Sequence, residues 1–306
     1  MRWYKIITPV QTWDASGDPN ALNVELDIIQ APGHLPKSGS FARIWGIPLQ
    51  LLLQAKQFNN LDINVYGGMQ HGLPLANPAQ QGLLCKGTIY PALGNWVNTD
   101  MTLDFYIPFA GGLVSVPGAA NVIHNWPKGQ PLANAIKQAL QTAFPKMTPD
   151  IDISSKLILN YTDTGFYQSF GQYATYAFNI SKSIMNSAAY HGVQMWVKGS
   201  KIMVRDAPTQ GSAGKIDFQD LIGQPIWTSP NTIQFKTVMR GDFDINDTVT
   251  MPPAMATLTA GSLPGLQGSA SNVIQGSFAI TSIRHTGNFR QPDWPSWCST
   301  FEARVA

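Results

Sequence analysis

At 306 residues the chain is long enough for two or three modest domains, each burying its own core. Only 12% of residues are charged, and the net charge of +2 comes from scattered positions without a basic run, which argues against a dedicated nucleic-acid binder. The 27 Gly, 22 Pro and 9 Trp supply turn punctuation and large flat side chains; few charges beside many aromatics suit surfaces that meet other protein, and equally a turn-rich β protein with no special partner. The start, Met1-Arg-Trp-Tyr-Lys5, lacks the apolar run of a signal peptide, and the longest apolar run, Ile47 to Leu53, is far below membrane-spanning length. Cys85 and Cys298 lie far apart and are expected reduced and packed. A cytoplasmic site of folding follows from these features.

Residues 1–118 read as a β-rich domain with one short helix. Asn23 to Ile29 alternates as a strand, Ala31-Pro-Gly breaks it, and Ser40 to Trp45 begins another. Pro48 is placed to open a helix through Leu49, Leu52, Leu53 and Lys56. Asp62 to Tyr66 is a strand before the Gly/Pro-rich loop from Gly67 to Gly82, and Gly82 to Tyr90 is expected to pair with Met101 to Ile107 around a turn at Gly94-Asn95-Trp96.

Residues 119–206 read as an α+β module. Pro131 opens a helix carrying Leu132, Ile136, Leu140 and Phe144 at helical spacing, and Pro145 stops it. After an extended stretch from Ile151 to Asn160, a second helix runs through Tyr173, Ala177, Ile180 and Ile184 towards Gly192. Val193 to Lys198 and Lys201 to Arg205 form a hairpin around Gly199-Ser200.

Residues 207–306 are β again. Ile233, Phe235, Met239, Phe243, Ile245, Val249 and Met251 recur with period two, which predicts an antiparallel pair turning at Arg240-Gly241, with a second reversal at Asn246-Asp247. Pro252 to Gly276 carries no charge and reads as a long loop, mobile in the free protein and ordered by a partner. Ser277 to Arg284 and Trp297 to Val305 make the last hairpin. A faint repeat aligns Gly87-Thr-Ile-Tyr90, Gly94-Asn95-Trp96 and Met101–Phe105 with Ile280–Arg284, Gly287-Asn288-Phe289 and Ser299–Ala303.

Several ordered strings carry a resemblance. Asp220–Phe235 reads D-L-I-G-Q-P-x-W-T-x-P-x-T-I-Q-F, followed by R-G-D-F-D-I and T-V-x-M-P. The first segment carries I-W-G-I-P-L, V-Y-G-G-M, G-L-P-L-A-N-P-x-Q-x-G-L and G-T-I-Y-x-A-x-G-N-W, and the second N-V-I-H-N-W-P-K-G-Q-P-L-A-x-A-I. Together they resemble the baseplate hub proteins of contractile-tailed bacteriophages. The resemblance implies a mainly β fold with an α+β insert, in which two tail-tube-like β-barrel domains, 1–118 and 207–306, flank the small α+β module 119–206. It also implies a structural role in the virion tail baseplate, adapting a hexameric tail tube to a trimeric central spike, after assembly in the bacterial host cytoplasm. The partners implied are two further copies in a homotrimer, tail tube proteins, the central spike protein, other baseplate proteins and the tape-measure protein. Neither a membrane nor a specific nucleic-acid sequence is among them, although DNA could pass through the lumen. With no lysozyme-like or spike-like stretch here, piercing or peptidoglycan cleavage would sit on another protein.

The residues themselves offer little chemistry. The chain has no G-x-S-x-G, H-E-x-x-H, Walker loop or G-x-G-x-x-G. His34, His71, His124, His191 and His285 stand singly, mostly beside Gly or Pro, and are expected in turns or on the surface. Asp242-Phe-Asp244-Ile-Asn246-Asp247 mimics the start of a calcium loop, but Asp247 stands where Gly is needed and Pro253 where a bidentate Glu is needed, so a strand is expected. Asp150 and Asp152 could form an acid/base pair, yet they read as flanks of a solvated strand start. No catalytic, cofactor-binding or metal site is therefore expected, and no enzyme. The nine Trp (3, 13, 45, 96, 126, 196, 227, 294 and 297) are expected to pack in cores and interfaces. Trp294-Pro-Ser-Trp297 is the most platform-like group, which keeps a carbohydrate- or receptor-binding β module as the alternative function.

Overall fold

The structure is a computed structural model that describes all residues except 36–38, 71–77, 109–120, 188, 210–213 and 256–272. It is mainly β with an α+β insert, as the sequence indicates. The chain divides into two compact units: Met1–Gln30, Ser40–Tyr106 and Thr209–Ala306 form the first, Ala31–Gly39 and Ile107–Pro208 the second.

In the first unit the chain opens with β1 (Arg2–Ile7), β2 (Thr12–Asp14), β3 (Val24–Gln30) and β4 (Ser40–Trp45). Helix α1 (Leu49–Leu53) begins after Pro48 in extended backbone and passes through Gln54 into a 3₁₀ turn that buries Phe58. Then come β5 (Asp62–Met69), β6 (Gly82–Thr88), β7 (Ala92–Val97) and β8 (Asp100–Ile107). Strands β2-β1-β5-β6 form a four-stranded sheet, and its inward residues pack an aromatic core in which Phe58 lies 6.1 Å from Trp13 and 5.2 Å from Phe105.

Two pairings differ from expectation. Gly82–Thr88 pairs with β5, and β8 lies between β4 and β7, so Gly94-Asn95-Trp96 is strand, lying opposite Leu103, Thr102 and Met101. The reversal falls at Asn98, whose φ of 57° is left-handed, and asparagine tolerates that region.

The second unit contains β9 (Val122–Trp126), α2 (Leu132–Ala143), β10 (Thr148–Asp152), β11 (Asp163–Tyr167), α3 (Phe170–Met185), β12 (Gln194–Lys198) and β13 (Lys201–Arg205). Helix α2 buries Leu132, Ala135, Ile136, Ala139 and Leu140 on one face, the stripe its helical spacing dictates. Helix α3 is capped by the Ser169 hydroxyl, which accepts from Gln172 N, and ends on Asn186 in the left-handed region, a common helix stop. The β12–β13 hairpin turns on Gly199 (φ 60°), and β10 joins β13 in parallel. Residues 31–39 belong here because Gly33 N donates to Met195 O at 2.7 Å.

The chain then returns to the first unit with β14 (Gly214–Lys215), β15 (Ile226–Ser229), β16 (Thr232–Val238), β17 (Thr248–Met255), β18 (Val273–Asn288) and β19 (Trp297–Val305). The predicted pairing of the segments either side of Arg240-Gly241 does not occur. Strand β16 pairs with β15 and β19, while β17 pairs with β18 and β14. Residues Met239 to Asp247 form no strand; the second reversal does fall at Asn246, with φ 70°. Strands β17 and β18 also extend through Met255 and from Val273, shortening the expected loop at both ends. The remainder of that loop, and the mobility expected of it, lie outside the described residues.

A continuous order, β15-β16-β19-β18-β3-β4-β8-β7, runs through the first unit. Its two halves share a pattern. In each, a hairpin (β15-β16 or β3-β4) is followed by the segment's last strand (β19 or β8) and then by its penultimate strand (β18 or β7). Met101–Phe105 and Ser299–Ala303 occupy the equivalent strands β8 and β19, and Gly94-Asn95 and Gly287-Asn288 the equivalent strands β7 and β18. The register differs, since Gly94 faces Leu103 whereas Gly287 faces Trp297. Gly87-Thr88 ends β6 and stands outside this array, unlike Ile280–Arg284.

Candidate functional site

Most of the residues singled out for chemistry are committed elsewhere. Asp242 accepts from Arg240 Nε and Nη2 at 2.7 and 2.6 Å. Asp244 and Asp247 hold the reversal: Ile245 N donates to Asp244 at 2.7 Å and Asp244 N to Asp247 at 2.8 Å. Asp150 is bound by Arg205 at 2.6 Å and Lys201 at 3.3 Å; the Arg205 hydrogen bond, chiefly, holds its carboxyl below the usual range. Asp152 is exposed on the same strand. Among the described residues no three His, Cys, Asp or Glu converge as metal ligands do. Cys85 and Cys298 are free thiols.

Two histidines depart from expectation: His124 and His285 are buried. Their neighbours carried the signal. In Val122-Ile-His124-Asn-Trp126 the odd-numbered and even-numbered positions alternate, and Val122, His124 and Trp126 all face inward. His124 lies among tyrosines: its Nδ1 is 2.9 Å from Tyr173 OH and its Nε2 3.3 Å from Tyr176 OH, and Tyr176 donates to Asp163. With Tyr176 donating to Asp163, the consistent assignment protonates His124 on Nε2, which donates to Tyr176, and lets Nδ1 accept from Tyr173. Burial pushes the His124 imidazole down to about 4, against the opposing pull of Asp163. It pushes the Tyr173 and Tyr176 hydroxyls up. A base held neutral and hydroxyls held protonated make a satisfied polar core. His285, whose Nδ1 is 2.7 Å from Ser299 Oγ, is likewise pushed by burial down to about 3. His34 stacks on Phe178 at 4.2 Å, His191 is exposed, and His71 lies outside the described residues.

Both buried histidines ionise near 6.5 in an unfolded chain. The folded values are lower, so the unfolded state binds protons first as pH falls. Their contribution to stability is therefore complete above about pH 6.5 and is lost progressively from there toward pH 3. Thermal midpoints should hold from pH 7.5 to about 6.5 and fall from there to pH 4.5; a flat profile would refute the neutral assignment.

The tryptophans divide. Trp13, Trp126, Trp196 and Trp297 are buried, and Trp297 Nε1 donates to Gly68 O at 2.9 Å, which removes it from any exposed platform with residue 294. Trp96 is the opposite case, 61% exposed on β7 beside Leu93 and Val97. Tyr90 and Tyr106, joined by the bond from Tyr90 N to Tyr106 O, are also exposed, as is Leu53 of α1. Exposed apolar side chains such as these on and beside β7 are a feature common at interaction surfaces, and their exposure was not legible in the sequence.

No family model matches this chain, and no curated protein does. Solved structures do. The 43 kDa tail protein of prophage MuSo2 from Shewanella oneidensis matches at TM-score 0.55 and 8% identity, over 99% of this chain and 96% of that one. The tail protein of Neisseria meningitidis MC58 matches at TM-score 0.52 and 8% identity, over 99% and 96%. The chain carries the fold of phage tail proteins. The same tail-protein fold matches an E. coli component of the type VI secretion system, described as structurally similar to the T4 tail proteins gp27 and gp5. There the TM-score is 0.55 and the identity 9%, over 99% of this chain and 77% of that one. These neighbours agree with the hub resemblance drawn from the motifs, and at such identity the likeness speaks to the fold.

Proposed function

We propose that this chain is a structural baseplate hub of a contractile phage tail, seated in the virion between a hexameric tail tube and a trimeric central spike. The observation that carries the reading is the repeated strand order: one chain presents two four-stranded arrays built alike, so three chains present six. In this reading the β segments 1–118 and 207–306 act as two tube-like barrels, and the module 119–206 serves contacts with other baseplate proteins. Three copies would then offer six similar faces to the tube and three to the spike, with contacts between unlike surfaces that form a ring because the rotation closes. The role is non-enzymatic; of the acid/base pair considered, Asp150 is held by Arg205 and Lys201, and the calcium-like Asp242 and Asp244 are held by Arg240 and by turn backbone.

Light scattering of the purified chain should give about three times its 33.4 kDa mass, and electron microscopy of the parent particle should place it as a ring on the tail axis. Location on peripheral fibres would overturn the hub reading in favour of receptor binding, for which exposed Trp96 would be the stacking residue. Incubation with cell-wall substrate should give no turnover.

A further inference from the structure

The second unit holds a sheet of only two strands. Strands β9 and β11 pair antiparallel from Val122 opposite Tyr167 to Trp126 opposite Asp163, and they join no other strand among the described residues. Their inner face is the His124–tyrosine core, with Val122 and Trp126 to either side. On the outer face, strand alternation should place polar side chains. Instead Ile123 stands directly opposite Phe166, and the two are 65% and 59% exposed. The chain leading into β11 adds Ile158 and Tyr161, also exposed. The charge around this face is of one sign. Lys128, just past β9, and Lys156, two residues before Ile158, are exposed. Residues 121–131 and 153–167 hold one acid, Asp163, and it accepts from Tyr176 on the inner side. The second unit as a whole carries nine Lys and Arg against four Asp, whereas the first carries eleven against fourteen acids.

We propose that the outer face of β9–β11 is a docking surface for an acidic segment of another tail protein, which sets apolar side chains on Ile123 and Phe166 and carboxylates beside Lys128 and Lys156. That the partner is a tail protein rests on the baseplate reading above; the chemistry of the surface rests on the residues. Covering the face removes apolar side chains from water, which supplies the affinity. Charge decides the occupant. A second copy meeting the same face across a twofold axis would set Lys128 and Lys156 against their own like charges, which disfavours that pairing. A nucleic acid calls for a clustered basic face, and here two lysines accompany an apolar pair. An acidic polypeptide carrying apolar side chains answers both features: its apolar residues fill the face, and its carboxylates steer the encounter and select the partner.

Two synthetic peptides of equal length test the surface, one alternating glutamate with valine and the other lysine with valine, each titrated into the full chain at low salt and followed by fluorescence anisotropy. The glutamate peptide should bind roughly tenfold tighter than the lysine peptide, a preference that shrinks as salt is added. K128E together with K156E should reverse the preference, which a loss of packing alone does not do. I123T together with F166T keeps strand-forming residues; it should weaken the glutamate peptide roughly tenfold and leave the thermal midpoint in place. Equal binding of the two peptides, or a preference untouched by the lysine reversal, overturns the surface and leaves the hub reading standing, since light scattering and microscopy test that reading separately. A reversed preference in a chain that microscopy places off the tail axis upholds the surface and overturns the hub. A DNA duplex that binds as tightly as the glutamate peptide and is lost with K128E and K156E overturns the choice of a polypeptide. A chain mass that drops on introducing I123T and F166T makes the occupant a second copy and overturns the proposal as well.

Discussion

Replacing Gly82 with alanine is expected to destabilise the first unit by about 3 kcal/mol or more, one of the two largest effects expected of a single substitution. Gly82 on β6 meets Gly241, just beyond β16, backbone to backbone. A Cβ on Gly82 would lie 2.0 Å from Gly241 O and 2.4 Å from Gly241 C, and a Cβ on Gly241 would lie 2.7 Å from Gly82 C. No rotamer relieves a clash with main chain, so the crossing itself must open. Opening it also strains the bond from Gly241 N to Gln80 O, now 2.8 Å, one of the ties between the first and last segments of the chain. A control is at hand in Gly129, whose φ is 79° but which has open space around it. Alanine there carries only the left-handed backbone penalty, about 1 kcal/mol. Urea unfolding of the two variants should separate them clearly; equal midpoints would show that the crossing tolerates a side chain.

Arg240→Met is expected to cost about 2–3 kcal/mol. The guanidinium side chain is only 5% exposed. It holds Asp242 through two hydrogen bonds, approaches Asp220 at 3.4 Å and stacks 4.4 Å from the Phe243 ring centroid. Methionine keeps much of the length and loses the charge, leaving two carboxylates without their cation. Asp242 is 28% exposed and can rewet, which keeps the cost below that of a fully buried orphan charge. The backbone N of Arg240 donates to Ser299 Oγ at 3.1 Å, a bond the substitution leaves in place. A double-mutant cycle with Asp242→Asn should return a coupling of about 1–2 kcal/mol, only partly reduced by added salt because Arg240 is buried while Asp242 is partly exposed. Coupling near zero would reduce Arg240 to a packing residue.

Local pattern carried much of the element list. The alternation of Val24–Gln30 and Ser40–Trp45, the helical stripe of α2 behind Pro131, and the Gly199 turn between β12 and β13 all stand where periodicity put them. Alternation also held the information about His124 and His285, each on the buried face of its strand. A reading that weighs histidine as a polar residue misses them, because a neutral imidazole can sit inside where a hydroxyl such as that of Tyr173 or Ser299 meets one of its nitrogens.

Strand partners were another matter. A period of two tells which face of β16 is buried and says nothing of which strand lies at its edge, because every backbone offers the same N–H and C=O groups. The apolar run through residues 233–251 therefore read as one hairpin, while the folded chain sends β16 to β19 and β17 to β18. By itself the sequence determined the β-rich class, the α+β insert, most strands and helices, and an ordered set of motifs resembling a hub. Only the tertiary structure decided the tandem strand order, the Gly82–Gly241 crossing and the exposed apolar edge at β7. Each depends on residues far apart in the chain arriving side by side, and such long-range choices are settled by the packing of the whole unit.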